Sequence, residues 1–301
     1  MNVKLLNISK LTIFSVFVAT SLMIGCNGDN ANVEDQIEDS VATGNNPDEF
    51  NKAKQVIYGI PSPIETAMLM KRAGAKYNQE YLNPTSNAGN YTTTKSMALN
   101  LGVYSTDLSF ASMFDQSQAS IKYLATTKKL ADDLGILNAI DKTIITRMET
   151  NINNRDSLME IISETFMNSN SFLKENDRAE IAAIILAGGW LEGLYVGCKV
   201  AQNTASNKEL IERIADQRLS LNTLISLMSE YNTDPNIQAV LPDMEKLKVV
   251  FDKIQTSSSK MEVVEKDGKS IISSKSEVKV TTEVFNEICK TATEIRSNII
   301  K

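Results

Sequence analysis

The sequence predicts an all-α fold, an irregular antiparallel bundle or stack of about eight to nine helices with a small β-hairpin near residues 261–274. Apolar residues recur at intervals of three and four along most of the chain after residue 60, which is the spacing of amphipathic helices. Serine, asparagine, aspartate and proline mark the expected helix starts. The connections are short, so neighbouring helices are expected to run antiparallel.

The first predicted helix begins at Ser62, which is followed by Pro63 in the first turn and by Glu65 as the acid of a capping box. A polar loop separates it from a second helix at 94–114. A third helix follows in "QSQASIKYLATTKKLADDLG", and we expect Gly135 to end it.

Further helices are predicted by the same spacing of apolar residues. Asn154 and Asp177 mark two starts, and Asp234-Pro235 marks another. Pro242 is expected to kink or restart the helix that contains it. The expected ranges are 138–153, 156–174, 177–203, 207–231, a segment from 234, and about 281–299.

Two features refine this fold class. Asp267-Gly268 lies between two short runs typical of strands, and this is a strong signal for a two-residue hairpin. The helix pairs show no fixed period, so the sequence does not indicate a consensus helical repeat.

The N-terminus has the pattern of a secretory signal peptide over residues 1–25. Lys4 and Lys10 precede an apolar run at 11–24 that is short for a membrane span. The ending "LMIGC" resembles the lipobox of bacterial lipoproteins, and this implies that Cys26 is lipidated and becomes the first mature residue. Asn27 stands where the family pattern places aspartate for inner-membrane retention, so the resemblance implies the outer membrane. The alternative is an ordinary signal peptide followed by a coincidental cysteine.

Residues 26–50 predict an acidic flexible tether, because they are rich in acids and carry few large apolar residues. A solvated spacer and an acidic sorting signal are both open interpretations. Residues 51–301 then form a single helical domain. The domain faces either the periplasm or the cell surface.

The composition excludes several classes of function. The formal net charge is −6, and the predicted signal peptide removes two lysines, which argues against nucleic acid and against direct adsorption on anionic lipid. The chain has no histidine, so it has no histidine-based triad or metal site. It also lacks a glycine-rich phosphate loop, G-x-S-x-G and C-x-x-C. We therefore predict no cofactor and no metal, and catalytic residues stay unknown.

Cys198 and Cys289 each lie within a segment whose apolar residues have the spacing of a helix. They could form a disulfide in an oxidising periplasm, but their spacing does not show it. Two separate buried thiols is the preferred interpretation.

The stretch 181–198 carries one charge, Glu192, and is marginally long enough to span a membrane. A central acid is costly in lipid, so a buried helix of a folded domain fits better. Gly189, Gly193 and Gly197 recur every four residues, and we expect a neighbouring helix to pack closely against them.

A second helical stretch with almost no charged residues, 96–114, has Asp107 as its only charge. Buried carboxylates need partners or raised pKa values. Either each acid accepts hydrogen bonds separately from Tyr, Ser, Lys or Arg, or both line one polar pocket with Tyr104, Trp190 and Tyr195 as its aromatic lining. Only oxygen ligands are present there, so any metal would resemble Ca²⁺ or Mg²⁺.

Taken together, "LGVYSTDLSFASMF" and "LAGGWLEGLY" resemble a group of helical lipoproteins from Gram-negative bacteria whose function is uncharacterised. The resemblance covers about residues 58–300, and it implies a fold and no activity. We expect a membrane-anchored lipoprotein whose helical domain binds a small ligand or other envelope proteins. The alternatives are a carboxylate-dependent enzyme that uses Asp107 and Glu192, and an envelope scaffold.

Overall fold

The computed structural model describes residues 72–137, 142–158, 160–162, 164–165, 173, 176–205, 207–258, 262–266, 269–273 and 276–301. The predicted signal peptide (1–25), the predicted tether (26–50) and the helix predicted to begin at Ser62 lie outside these residues, except for the last few positions of that helix.

The predicted all-α bundle is confirmed. Two short 3-10 helices, Gln79–Tyr81 and Thr85–Asn90, precede the first long helix. Helical residues also occur between 155 and 173, where parts of the chain are not described. The long helices are α1 (Thr94–Met113), α2 (Ser117–Asp133), α3 (Lys142–Thr150), α4 (Ala179–Gln202), α5 (Lys208–Ser229), α6 (Pro235–Phe251) and α7 (Thr282–Ile299).

Local sequence signals set several helix ends. Thr93 and Ser96 form a reciprocal capping box at the start of α1. Asp234 accepts backbone hydrogen bonds at the start of α6, with Pro235 in the first position. Gly135 follows α2 with a φ of +69°, as predicted for a glycine that ends a helix.

One predicted helix start is wrong, and of the kink or restart predicted at Pro242 the restart does not occur. Asp177 does not cap α4, because the helix starts at Ala179 and Asp177 itself has a φ of +55°. Pro242 does not restart α6, which continues through it to Phe251. Proline has no N–H group, so α6 loses one internal hydrogen bond at that point but stays a single helix.

The predicted hairpin is present. Strands β2 (Glu262–Lys266) and β3 (Lys269–Ser273) pair in antiparallel register, with Lys266 opposite Lys269 across a two-residue connection. A second antiparallel pair, β1 (Gln255–Ser258) with β4 (Ser276–Lys279), was not predicted. In chain order, these four strands connect α6 to α7.

Helix α4 is the central element of the bundle, in contact with α1, α5, α6 and α7. It is the one described helix with the length and apolar character of a membrane span, and 83% of its most apolar window is buried inside the protein. This arrangement agrees with the expectation of a buried helix in a folded domain.

The closest helix packing joins α1 to α4. A Cβ atom added to Gly188 would lie 2.1 Å from the backbone oxygen of Leu99, and one added to Gly102 would lie 2.1 Å from the backbone oxygen of Ile185. Nothing larger than a hydrogen atom fits at either position. The two backbones are therefore in direct contact.

The predicted contact through Gly189, Gly193 and Gly197 is partly wrong. Gly189 does face α1, with a Cβ position 3.4 Å from the oxygen of Gly102. Gly197 faces α5, where its Cβ would lie 3.8 Å from the side chain of Ile214, but Gly193 is exposed and a Cβ added there would meet nothing within 4 Å. The reason is that α4 is buried on most of its circumference, so its apolar pattern does not identify the side that meets α1.

The preference for two separate thiols is also wrong. Cys198 in α4 and Cys289 in α7 form a disulfide, and their Cα atoms are 5.5 Å apart, within the usual range for such a bond. The two cysteines are 91 positions apart in the chain. Only the fold brings them together, and the bond fastens α7 to α4.

Candidate functional site

Glu192 of α4 and Arg296 of α7 form a bidentate ion pair in the core. Arg296 Nε donates to Glu192 Oε2 at 2.6 Å, and Arg296 Nη2 donates to Glu192 Oε1 at 2.7 Å. Glu192 is 0% exposed and Arg296 is 5% exposed. Paired hydrogen bonds of this geometry are among the strongest that charged side chains make.

Two further contacts fix the guanidinium of Arg296. Its Nη2 also donates to the backbone oxygen of Tyr81 at 3.0 Å. The guanidinium carbon lies 4.0 Å from the centre of the Tyr195 ring, in cation–π contact. The arginine therefore joins α4, α7 and the segment before α1.

Arg296 is buried because it belongs to the apolar face of α7. Phe285, Cys289 and Ala292 lie on that face at intervals of four, three and four residues before Arg296, and all three are buried. Burial of an arginine in this setting requires a counter-ion, and Glu192 supplies it.

Asp107 of α1 lies beside this pair and is completely buried. Its Oδ2 accepts a hydrogen bond from the backbone N–H of Asn83 at 3.0 Å. Its Oδ1 finds no donor if both acids are taken as ionised. Burial raises the pKa of both acids, and the contact between them raises that of Asp107 and lowers that of Glu192, so Asp107 is the acid that keeps a proton more readily.

The surroundings support this assignment of charge. Burial, and then the negative charge of Glu192, raise the pKa of Asp107 well above its ordinary value. Burial also raises the pKa of Glu192, but the hydrogen bonds and charge of Arg296 oppose that effect. A neutral Asp107, an anionic Glu192 and a cationic Arg296 give a cluster with no net charge. We call these three residues the acid–arginine cluster.

A set of amide side chains continues the polar network. Asn83 Nδ2 lies 3.0 Å from the hydroxyl of Tyr91 and 3.3 Å from Asn100 Oδ1. Asn100 Nδ2 donates to the backbone oxygen of Ile299 at 3.0 Å, and the Tyr91 hydroxyl lies 3.3 Å from the oxygen of Ile300. The network thus ties the end of α7 to α1 and to the segment before it.

The structure places four of the five predicted pocket residues around this network. Asp107 and Glu192 are neighbours, and the Tyr195 ring covers Arg296. The hydroxyl of Tyr104 donates to the backbone oxygen of Pro84 at 2.9 Å. Trp190 lies elsewhere, because its position in α4 directs it away from Glu192.

Trp190 instead contacts α5 and α6. Its Nε1 donates to Ser220 Oγ at 2.9 Å, and its ring centre lies 6.2 Å from that of Phe251. It is a core residue and not part of a lining shared with the two acids.

The acids do not line an open polar pocket. Both are fully buried, and neither of the two described surface pockets includes them. In the part of the chain that the structure describes, no group of three or more His, Cys, Asp or Glu side chains could hold a metal ion. Among the described residues, the geometry therefore gives charge neutralisation inside the core.

Sequence reasoning did not single out Arg296, Asn83 or Asn100. A signal existed for Arg296, since a charged residue on the apolar face of a predicted helix needs a buried partner. A weaker signal existed for Asn100, which lies in the stretch 96–114, where Asp107 is the only charge. We find no signal in the sequence for Asn83, whose backbone N–H is the contacting group.

A separate apolar cavity of about 90 Å³ opens among α1, α2, α3, residues 136–137, the first turns of α4 and three residues between α3 and α4, which are Ile162, Thr165 and Leu173. Its described lining is almost entirely aliphatic, and Lys128 is the one charged residue in it. We call it the apolar cavity. It is distinct from the acid–arginine cluster, because the two share no lining residue.

Comparison of the chain with protein-family models, curated proteins and solved structures finds no match. The resemblance to helical lipoproteins of Gram-negative bacteria therefore stays a prediction. A proposal of function rests on the residues and on the geometry described above.

Proposed function

We propose that this protein is an exported lipoprotein, anchored through Cys26, whose helical domain binds a ligand or an envelope partner and does not transform it. The observation that carries the proposal is the Cys198–Cys289 disulfide. Disulfides persist in oxidising compartments and are rare in a reducing cytosol. The disulfide therefore agrees with the export signal predicted for residues 1–25.

The anchor follows from the lipobox-like ending "LMIGC". Each buried methylene of an acyl chain contributes about 0.8 kcal/mol to membrane binding, and durable attachment needs more than one chain. Three chains on Cys26, as in bacterial lipoproteins, give durable attachment. Asn27 favours the outer membrane, and the acidic segment after it would space the domain from the bilayer.

Support for binding over catalysis comes from the acid–arginine cluster. Both oxygens of Glu192 accept hydrogen bonds from Arg296, and Asp107 is engaged by Asn83 and Glu192. A general acid or base must come within hydrogen-bond reach of its substrate. Two carboxyl groups that are fully buried and internally paired suit a structural role.

Metabolic labelling with palmitate tests the anchor. We expect the wild-type protein to incorporate label and Cys26→Ser to incorporate none, since the thiol of Cys26 is the proposed attachment point. The matched control is Cys198→Ala with Cys289→Ala, which removes the other two cysteines and should keep the label. Label on Cys26→Ser, or an unlabelled wild type, would refute the lipoprotein proposal.

Thiol alkylation after denaturation tests the compartment. Protein isolated from the cell envelope without reductant should react at neither Cys198 nor Cys289. The same chain produced in the cytosol without residues 1–25 should react at both. Free thiols in the envelope form would contradict export to an oxidising compartment.

A further inference from the structure

We propose that the apolar cavity binds the hydrocarbon tail of a single-chain anionic amphiphile, such as a fatty acid, with its head group beside Lys128. This inference rests on the proposed function, the binding of a ligand, and names the chemical class of that ligand. It uses residues separate from the acid–arginine cluster.

The size and lining of the cavity fit a hydrocarbon tail. Leu101, Leu124, Met148 and Ile185 contribute aliphatic side chains from four different helices. Dry apolar cavities of about 150 Å³ bind a molecule as large as benzene. A cavity of about 90 Å³ that is open on one side therefore suits a short length of alkyl chain with the remainder towards the opening.

The hydroxyl groups in the lining already donate hydrogen bonds within the protein, so they do not need a ligand as a partner. The hydroxyls of Ser105, Thr127 and Thr165 each donate to a backbone oxygen four residues earlier in the chain, at 2.7, 2.8 and 2.6 Å. These bonds use the hydroxyl protons, so the cavity offers a ligand little beyond apolar contact. A sugar or a peptide backbone would lose its hydrogen bonds to water there without replacement.

The positive charge of Lys128 at the opening favours an anionic head group. Lys128 is the one cation among the described lining residues, and its side chain is 45% exposed. Its nearest described anion is Glu149 at 4.0 Å, a half-exposed pair of little strength. The ammonium group can therefore bind a carboxylate, sulfate or phosphate head whose tail enters the cavity.

The neighbouring Lys129 provides a matched control. It pairs with Asp133 in the same helical turn and does not line the cavity. A general effect of surface charge would be the same at both lysines, whereas a head-group contact requires Lys128.

The test uses full-length protein reconstituted in phosphatidylcholine vesicles and a dodecanoate that carries a diazirine near the end of its tail. After illumination, peptide mass spectrometry locates the cross-links and their dependence on probe concentration gives an apparent affinity. We expect cross-links in the peptides that contain Leu124, Met148 and Ile185. Each methylene lost from the part of the tail that the cavity buries should weaken binding about fourfold, whereas a methylene outside the cavity should matter little.

The variants separate head-group contact from tail contact. Lys128→Gln should weaken binding about two- to fivefold, while Lys129→Gln should leave it unchanged. Ala182→Met should fill the cavity and remove the cross-links, and its unfolding midpoint shows whether it folds. Lys128→Gln changes an exposed side chain, so it tests the proposal even if Ala182→Met does not fold.

Three results would overturn the proposal. The first is an absence of cross-links in the lining peptides, and the second is an equal loss of affinity in Lys128→Gln and Lys129→Gln. The third is a dodecyl-trimethylammonium probe of the same length that binds as tightly as the anionic probe. A fourth is labelling of Cys26→Ser but not of the lipidated protein, which would show that the protein's own acyl chain fills the cavity. Palmitate labelling of Cys26 does not depend on any of these four results. A wrong ligand class can therefore be distinguished from a wrong lipoprotein assignment.

Discussion

Both carboxylate oxygens of Glu192 accept hydrogen bonds from Arg296, a residue 104 positions later in the chain. This pair crosses from α4 to α7, as the Cys198–Cys289 disulfide also does. The most apolar described helix is thus joined to the last helix by one ionic and one covalent link.

Glu192→Gln should destabilise the protein by about 3–5 kcal/mol, because it leaves the charge of Arg296 buried without a counter-ion. The measurement is the free energy of unfolding in urea at neutral pH. Glu294→Gln is the control, since Glu294 pairs with Lys246 on the surface and should cost well under 1 kcal/mol. A loss at Glu192 as small as that at Glu294 would contradict the buried ion pair.

Asp107→Asn should alter the dependence of stability on pH. The pKa of Asp107 is raised in the folded state, so the unfolded chain releases this proton first as pH rises. Its contribution to stability is complete below the ordinary carboxyl pKa and is lost as pH rises through the folded pKa.

An asparagine at position 107 can still donate to Glu192 and accept from Asn83, but it has no proton to lose. Unfolding free energies measured between pH 4 and pH 9 should therefore decline less with pH in Asp107→Asn than in the wild type. Identical slopes in the two proteins would mean that Asp107 is ionised in the fold.

Gly188→Ala should destabilise by about 1–3 kcal/mol or more, because its Cβ would meet the backbone of Leu99. Gly193→Ala is the matched control in the same helix. That position is open, and alanine there should stabilise by up to about 1 kcal/mol. Thermal unfolding of both variants checks this, and similar changes at the two glycines would refute the close backbone contact.

Removal of the disulfide by Cys198→Ala with Cys289→Ala should cost about 2–4 kcal/mol, since the bond closes a long loop in the unfolded chain, between cysteines 91 positions apart. Dithiothreitol should lower the unfolding midpoint of the wild type and leave that of the double variant unchanged. An equal response of both proteins to the reductant would argue that the bond does not form.

The helices could be predicted because their signals are local. Thr94–Met113 and Pro235–Phe251 begin at capping residues that lie within a few positions of the helix. Asp107 and Glu192 could be singled out because each is the only charge in a long stretch of sequence, 96–114 and 181–198. In both cases the information is contained in a short stretch of sequence.

The partners of these residues could not be predicted, because they depend on tertiary packing. Arg296 and Cys289 reach α4 only when α7 docks, about one hundred residues after their partners. The choice of Gly188 over Gly193 depends on the rotation of α4, which is apolar on most sides. Periodicity identifies a buried face only when the opposite face is polar.

The separation of Glu192 from Arg296 also bears on the order of events during synthesis. When α4 has just been synthesised, Glu192 is present but Arg296, the cation that neutralises it in the fold, has not yet been made. Cys289 is also missing, so α4 has no disulfide to a second helix. About one hundred further residues must follow before neutralisation and cross-linking are possible. Until α7 has been made, the side of α4 that α7 covers has no partner, and it leaves exposed apolar surface of the kind that makes partly folded chains prone to aggregate.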